Sequence, residues 1–330
     1  MKRLTVLALS LVIAGTVAVL AQDDNTIRLD VNLVSILASV RSKSGALISN
    51  LTKDDFKIYE DGKEQQIRNF TRETDLPLTL GLLVDTSSSQ ERLIDTEQRA
   101  ASQFFSKVLR TKDQAFLIQF GAEAELLQDL TNSARLLQKG LQQLRLSVPV
   151  GGLHPGPVPT MQNQAGTILY DAVYLAANDE LKREVGRKAI ILITDGVDTG
   201  SRLTAPQVSA IASEIDVPVY LLTVVNPADH PGGEFAVLEN EGKRTETATL
   251  ADLARWTGGD MRIASIPAHT VAALQDLFTE LRHQYLITFE PGTRPGWHPL
   301  EVRMRKKNLI VHARSGYTSG PSQSPVGSSR

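Results

Sequence analysis

The chain is 330 residues long, 42% hydrophobic and 22% charged, enough to bury one sizeable core and a smaller second one. A formal net charge of -2, from 35 basic and 37 acidic side chains, excludes a nucleic-acid footprint, as does the lack of any basic patch with interleaved aromatics. The chain has no cysteine, so thiol redox chemistry, thiolate metal sites and disulfide staples are excluded as well.

Residues 1–21, MKRLTVLALSLVIAGTVAVLA, place two early basic side chains before an apolar run ending in Val19, Leu20 and Ala21. Small side chains at the outer two of these positions fit signal-peptide cleavage before Gln22, and predict an exported chain, periplasmic or extracellular. The alternative is an uncleaved anchor, since the run approaches the ~20 residues that span a bilayer. An exported chain without disulfides suits a bacterial envelope.

Residues 22–75 read as short strands: IRLDVNLVSILASV, a turn at SKSGAL, then FKIYEDGKEQQIRNFT with an Asp61-Gly62 hairpin signal. So few residues make no secure core alone. The partner is expected at the other end, residues 285–318, where QYLITFEP, HPLEVRMRK and LIVHARSGYT are again strands between Pro and Gly turns. The two ends should form one small β module. Beyond them, residues 319–330 are a Ser/Pro/Gly tail with nothing to bury, read as disordered.

Between them, over residues 76–284, apolar strands alternate with helical patterns. LTLGLLVD is followed by a helix, for which Ser88 and Glu91 read as a capping box. Then come QAFLIQFG, a helix near residues 135–144, the helix TILYDAVYLAAND and the strand RKAIILITDG. A further helix, PVYLLTVV, a helix near residues 250–257, GDMRIAS and the last helix AHTVAALQDLFTELRHQ complete the series. Strands apolar at nearly every position are covered on both faces. The expected class is therefore α/β, a doubly wound, mostly parallel sheet, and such sheets bind ligands at the carboxyl ends of their strands.

Three segments fall at those ends: Asp85-Thr86-Ser87-Ser88-Ser89, Gly166-Thr167 and Thr194-Asp195-Gly196. Together they offer two carboxylates and three hydroxyls from Asp85, Ser87, Ser89, Thr167 and Asp195. Hard oxygen donors suit a small hard cation, Mg²⁺ above all, with Mn²⁺ or Ca²⁺ as the other candidates. Taken singly, Thr167 is equally an N-cap and Asp195-Gly196 equally a turn.

The pattern of Asp-x-Ser-x-Ser, a later Thr and a Thr-Asp-Gly turn, seen here in DTSSS, AGTILYDAV and LITDGVDTGS, resembles the von Willebrand factor A (VWA) domain with its metal-ion-dependent adhesion site. The flanking SNLTKDDFKIYEDGKEQQIRNF, WTGGDMRIAS, LRHQYLITFEP and ARSGYT resemble the exported VWFA-related proteins common in acidobacteria. The resemblance implies a VWA domain over residues 76–284, a metal set of Asp85, Ser87, Ser89, Thr167 and Asp195, and a partner protein whose Asp or Glu completes the ion's shell. Two Pro/Gly-rich loops, 147–166 and 226–247, fit the family pattern least well.

The competing classes are a structural envelope protein with an idle metal site and a metal-dependent hydrolase. The six histidines are scattered along the sequence and no G-x-S-x-G elbow occurs, which argues against a serine hydrolase. An aspartyl phosphatase would carry an acid where Ser87 stands. The expectation is a non-enzymatic, metal-dependent binding module.

Overall fold

The computed structural model describes residues 33–73, 76–91, 93–147, 166–196, 198–224, 245–264 and 267–319. The expected signal segment, most of both long loops and the tail from 320 lie outside these residues. Strand β1, Val34–Ser42, has Val34, Ile36, Ala38 and Val40 buried with Ser35 and Leu37 only partly so, the alternation of a half-covered sheet. Strands β2, Phe56–Glu60, and β3, Lys63–Gln65, pair across Asp61 and Gly62. Their φ angles of 50° and 77° are the left-handed pair that a tight primed hairpin turn needs, as the Asp-Gly signal predicts. Strand β4, Ile67–Glu73, follows.

Next comes the α/β layer. Strand β5, Leu78–Asp85, is buried at every position. It leads through a 3-10 turn, Ser88–Gln90, into helix α1, Ile94–Val108. Strand β6 spans Gln114–Phe120, β7 Ala124–Thr131 and helix α2 Ala134–Leu141. Helix α3, Leu169–Leu175, runs on into a π-helical turn, Ala176–Leu181. Strand β8 is Arg187–Thr194, α4 Ala205–Glu214, β9 Val219–Val224, α5 Thr245–Thr257, β10 Met261–Ala264 and α6 Pro267–Arg282. Four more strands end the described chain: β11 Gln284–Phe289, β12 Gly296–Met304, β13 Leu309–Ala313 and β14 Gly316–Ser319.

The central sheet has the order β10-β9-β8-β5-β6-β7, parallel throughout except for β7. Its two faces carry separate cores. On one, Leu80, Leu82 and Val84 of β5 meet Phe105 of α1, Leu137 of α2 and Leu274, Leu277 and Leu281 of α6. On the other, Leu83, Phe116 and Phe120 meet Leu169 and Val173 of α3, Val208 of α4 and Leu253 of α5. The expected doubly wound α/β fold is present.

Beside it stand two antiparallel four-stranded sheets, β13-β1-β11-β4 and β14-β12-β2-β3. Each mixes strands from both ends of the chain, as expected of the β module, and they share a third core of Ile36, Ile58, Tyr285, Ile287, Phe289 and Leu300.

Two expectations need correction. Strand β7 was not foreseen, because an edge strand without a buried position leaves no apolar run in the sequence. Nor does Ser88 cap the helix. Its carbonyl instead accepts the Glu91 amide at 3.3 Å in a tight turn, and α1 begins only at Ile94, after Leu93, with no side-chain cap. Among the described residues no helix is long and apolar enough to cross a membrane.

Candidate metal centre

Asp85 ends β5 fully buried, with its carboxylate held on both sides. One oxygen accepts the Ser87 amide at 2.9 Å and the other the Thr194 hydroxyl at 2.6 Å. The same Thr194 oxygen accepts the Gly196 amide at 3.0 Å, so the turn carrying Asp195 is fixed to Asp85 through one hydroxyl. The turn after β5 is anchored to β6: Thr86 donates its amide and its hydroxyl to the Phe120 carbonyl at 2.7 and 3.0 Å. Thr86 in turn accepts the Ser147 amide at 2.7 Å.

Thr167 reaches the same edge by a different route. Ile168 donates to the carbonyl of Gly121, just past β6, at 2.8 Å. A Cβ on Gly121 would lie 3.6 Å from the Ser87 amide nitrogen, so the segments of Ser87 and Thr167 meet around Gly121. On its far side the Thr167 carbonyl accepts the amides of Thr199 and Gly200 at 3.1 and 3.0 Å, and its own amide donates to the Thr199 hydroxyl at 3.0 Å. This close passage needs glycine on both strands of chain. A Cβ on Gly166 would lie 2.9 Å from the Gly200 Cα.

Thr167 is not the cap of α3. The cap position is Ile168, and the first helical amides are taken by Asp198, whose Oδ1 accepts Leu169 N at 2.9 Å and the Ser201 hydroxyl at 2.5 Å. Asp198 thus sets the start of α3, and Asp171 completes the stitch by accepting the Arg202 and Leu203 amides. Of the five expected site residues, Asp85 and Thr167 are buried, while Ser87 and Asp195 are half-buried. Ser89 lies in the 3-10 turn, and its side chain is outside the described atoms.

Electrostatically the edge is acidic. Burial pushes Asp85 from its ordinary 3.8 up to about 6; the Thr194 hydroxyl opposes this and the Asp195 charge adds to it. Two like charges beside hydroxyl donors form a set that a hard divalent cation fits, since the ion would replace repulsion by attraction.

Sequence reasoning missed Thr194 as the clamp on Asp85, and it missed Glu97. Glu97 is fully buried on α1, its carboxyl pushed well above 4.5 by burial and then by the charges of Asp85 and Asp195. The signal was present: Leu93, Glu97, Ala100 and Ala101 share helical spacing, which puts an acid on the apolar stripe.

A second group, Asp260, Glu280 and His312, brings one ligand atom each within 4.8 Å of one another. Its acids are already engaged. Glu280 accepts Ser39 at 2.7 Å, Arg41 at 2.7 Å and Arg262 at 3.1 Å, while Asp260 pairs with Arg262 and lies 3.2 Å from His312. Two guanidinium groups amid the acids make this an ion-pair network rather than a cation site.

No family profile matches the chain, and no curated protein matches it in sequence. Among solved structures, the conserved hypothetical protein BatB from Bacteroides thetaiotaomicron is 19% identical over 62% of this chain and 98% of its own, with a TM-score of 0.44. Proximal thread matrix protein 1 from the mussel byssus is 11% identical over 73% of this chain, TM-score 0.47, and the match spans half of that protein. A structure of the same mussel protein with a zinc-occupied MIDAS motif is 14% identical over 64% of this chain and 49% of its own, TM-score 0.39.

Proposed function

We propose that the chain is an exported protein-binding module of the VWA type, in which a divalent cation captures a carboxylate from a partner protein. Asp85, Ser87, Ser89, Thr167 and Asp195 would hold the ion, Mg²⁺ in the first place and Mn²⁺ or Ca²⁺ as alternatives. The observation that carries the reading is the state of Asp85: a fully buried carboxylate, pushed up to about 6 and facing the charge of Asp195, at the edge where the Thr167 segment is anchored. A buried acid of this kind asks for a compensating positive charge.

When bound, the ion supplies a positive centre that the two aspartates and the neutral hydroxyls do not saturate, and an external Asp or Glu completes its shell. The chain's own residues do the positioning. Thr194 holds Asp85, the Gly196 amide holds Thr194, and the Gly166–Gly200 crossing holds Thr167. Membrane association is expected only if the leader is retained.

The test is calorimetry of the purified chain with MgCl₂, MnCl₂ and CaCl₂, beside pull-downs from the native envelope with and without chelator. Ion uptake by the parent but not by Asp85→Ala, and partner capture lost on chelation, support the reading. Partner capture indifferent to chelator points to a structural envelope role, and turnover of generic esters or phosphates would revive the hydrolase.

A further inference from the structure

Three of the flanking segments, WTGGDMRIAS, LRHQYLITFEP and ARSGYT, have no part in the cation site, and they meet at the amino ends of β8 and β9. There they bound a cavity of about 220 Å³ whose lining includes Arg187 at the start of β8, Pro218 just before β9, Thr257, Leu286 and Arg314. The meeting is built into the backbone. Gly258, at a φ of 87°, passes so close that a Cβ on it would lie 2.8 Å from the Arg314 amide nitrogen. On β1, Ile36 and Ala38 face the sandwich core, so Ser35 and Leu37 turn to the other side of the sheet. Leu37 stands opposite Leu286 of β11, and both line the cavity. Leu76, 44% exposed, carries this apolar wall out to the surface.

The polar side of the lining is short of acceptors. Arg314, 8% exposed, donates to Asp216 at 2.8 Å, to the Ser213 carbonyl at 3.2 Å and to the Ser35 carbonyl, yet its Nε has no partner among the described residues. The buried Ser213 hydroxyl has none either. Both groups can donate, and a buried donor left over is costly, so the lining asks for an acceptor. The charges point the same way, with two arginines, Arg187 and Arg314, against one acid, Asp216, in the lining. We propose that this cavity is a second binding site, for a small organic carboxylate with an apolar body. The positive charge of Arg314 and Arg187 holds the carboxylate, and Leu37, Leu76 and Leu286 hold the rest. One excess positive charge matches a monoanion, and the apolar wall disfavours a more highly charged phosphate. The size fits as well, since a cavity of ~150 Å³ already takes up benzene. The proposal does not depend on the cation site, which lies at the carboxyl ends of β5 and β8.

The test uses phenylacetate, with phenylacetamide as its uncharged counterpart of the same shape, on the purified chain in EDTA so that no divalent ion takes part. Calorimetry is expected to show saturable phenylacetate binding, with phenylacetamide about tenfold weaker or worse, as the loss of a charge-assisted hydrogen bond implies. Leu286→Trp, which fills the cavity and leaves both arginines in place, should abolish binding, and Arg314→Met should do the same. Because Arg314 also fastens Asp216 and Ser35, a change at an exposed position gives an independent measurement. Leu76→Glu should weaken phenylacetate about threefold and leave phenylacetamide unchanged. No saturable binding at about 10 mM, equal binding of the two probes, or binding indifferent to Leu286→Trp would each overturn the proposal while leaving the reading of the cation site intact.

Discussion

At the scale of single residues, Asp85 balances two opposing effects. Its carboxylate is destabilised by burial and by Asp195, worth about 3 kcal/mol for a rise from 3.8 to about 6. It also satisfies the Ser87 amide and the Thr194 hydroxyl, and leaving such groups unpaired costs about 1–3 kcal/mol. Asp85→Ala should therefore melt within about 1 kcal/mol of the parent when no ion is present, while abolishing Mg²⁺ uptake; calorimetry and circular dichroism on the same sample read both. Ser88→Ala should change stability by less than about 0.5 kcal/mol, because Ser88 is exposed and its side chain caps no helix. A loss of 1 kcal/mol or more in urea titration would restore the cap. The acids at strand ends were legible in the sequence because each follows an apolar run. Glu97 went unread because its role depends on which side of α1 meets the sheet.

At the scale of elements, α6 is fastened to the β module by charge. Glu280, buried, joins Ser39 and Arg41 of β1 to Arg262 of β10, and Arg41 also grips Asp276. Glu280→Ala leaves two guanidinium groups without that partner and should cost about 3–5 kcal/mol in chemical denaturation. The neighbouring His312–Asp260 contact makes part of this fastening depend on pH. The hydrogen bond to Asp260 raises His312 above its ordinary 6.5; desolvation and Arg262 oppose this, and Glu280 adds to it. Stability from His312 is thus full below 6.5 and lost as pH rises through the raised value. Asp260 is held at about 2 against burial by His312 and Arg262, so its share is full above 3.8 and lost as pH falls through about 2. Urea midpoints should accordingly decline as pH rises above 6.5, and His312→Gln should flatten that decline. An unchanged slope between pH 6 and pH 9 in the variant would detach His312 from the fastening.

At the scale of the whole molecule, the chain closes on itself. β1 lies between β11 and β13, and β2 pairs with β12, so residues near the two ends share one sandwich core. Deleting residues 291–318 strips β12, β13 and β14 from both sheets. It should expose residues 33–73 to limited proteolysis, and unchanged cleavage there would show that the N-terminal strands stand without their partners. The proposed ion, by contrast, would touch only the carboxyl ends of the central strands. At about ten times its dissociation constant it adds ~1.4 kcal/mol to a fold typically worth ~5–15 kcal/mol, so the chelated protein should keep its circular dichroism spectrum.

Periodicity alone determined the α/β class. Runs such as KAIILITD are apolar at every turn of the pleat, and only a strand covered on both faces needs that. The Asp-Gly hairpin was fixed in the same way, because few residues other than glycine enter the left-handed region its turn requires. Tertiary structure decided what depends on neighbours distant in sequence. It placed β7 at an edge, tied Asp195 to Asp85 through Thr194, and let Gly166 and Gly200 cross so that Thr167 is anchored. It also turned Glu97 from one more helix acid into a buried carboxyl with no hydrogen-bond partner among the described residues, because a side chain's electrostatic role is set by what surrounds it rather than by what precedes it in the chain.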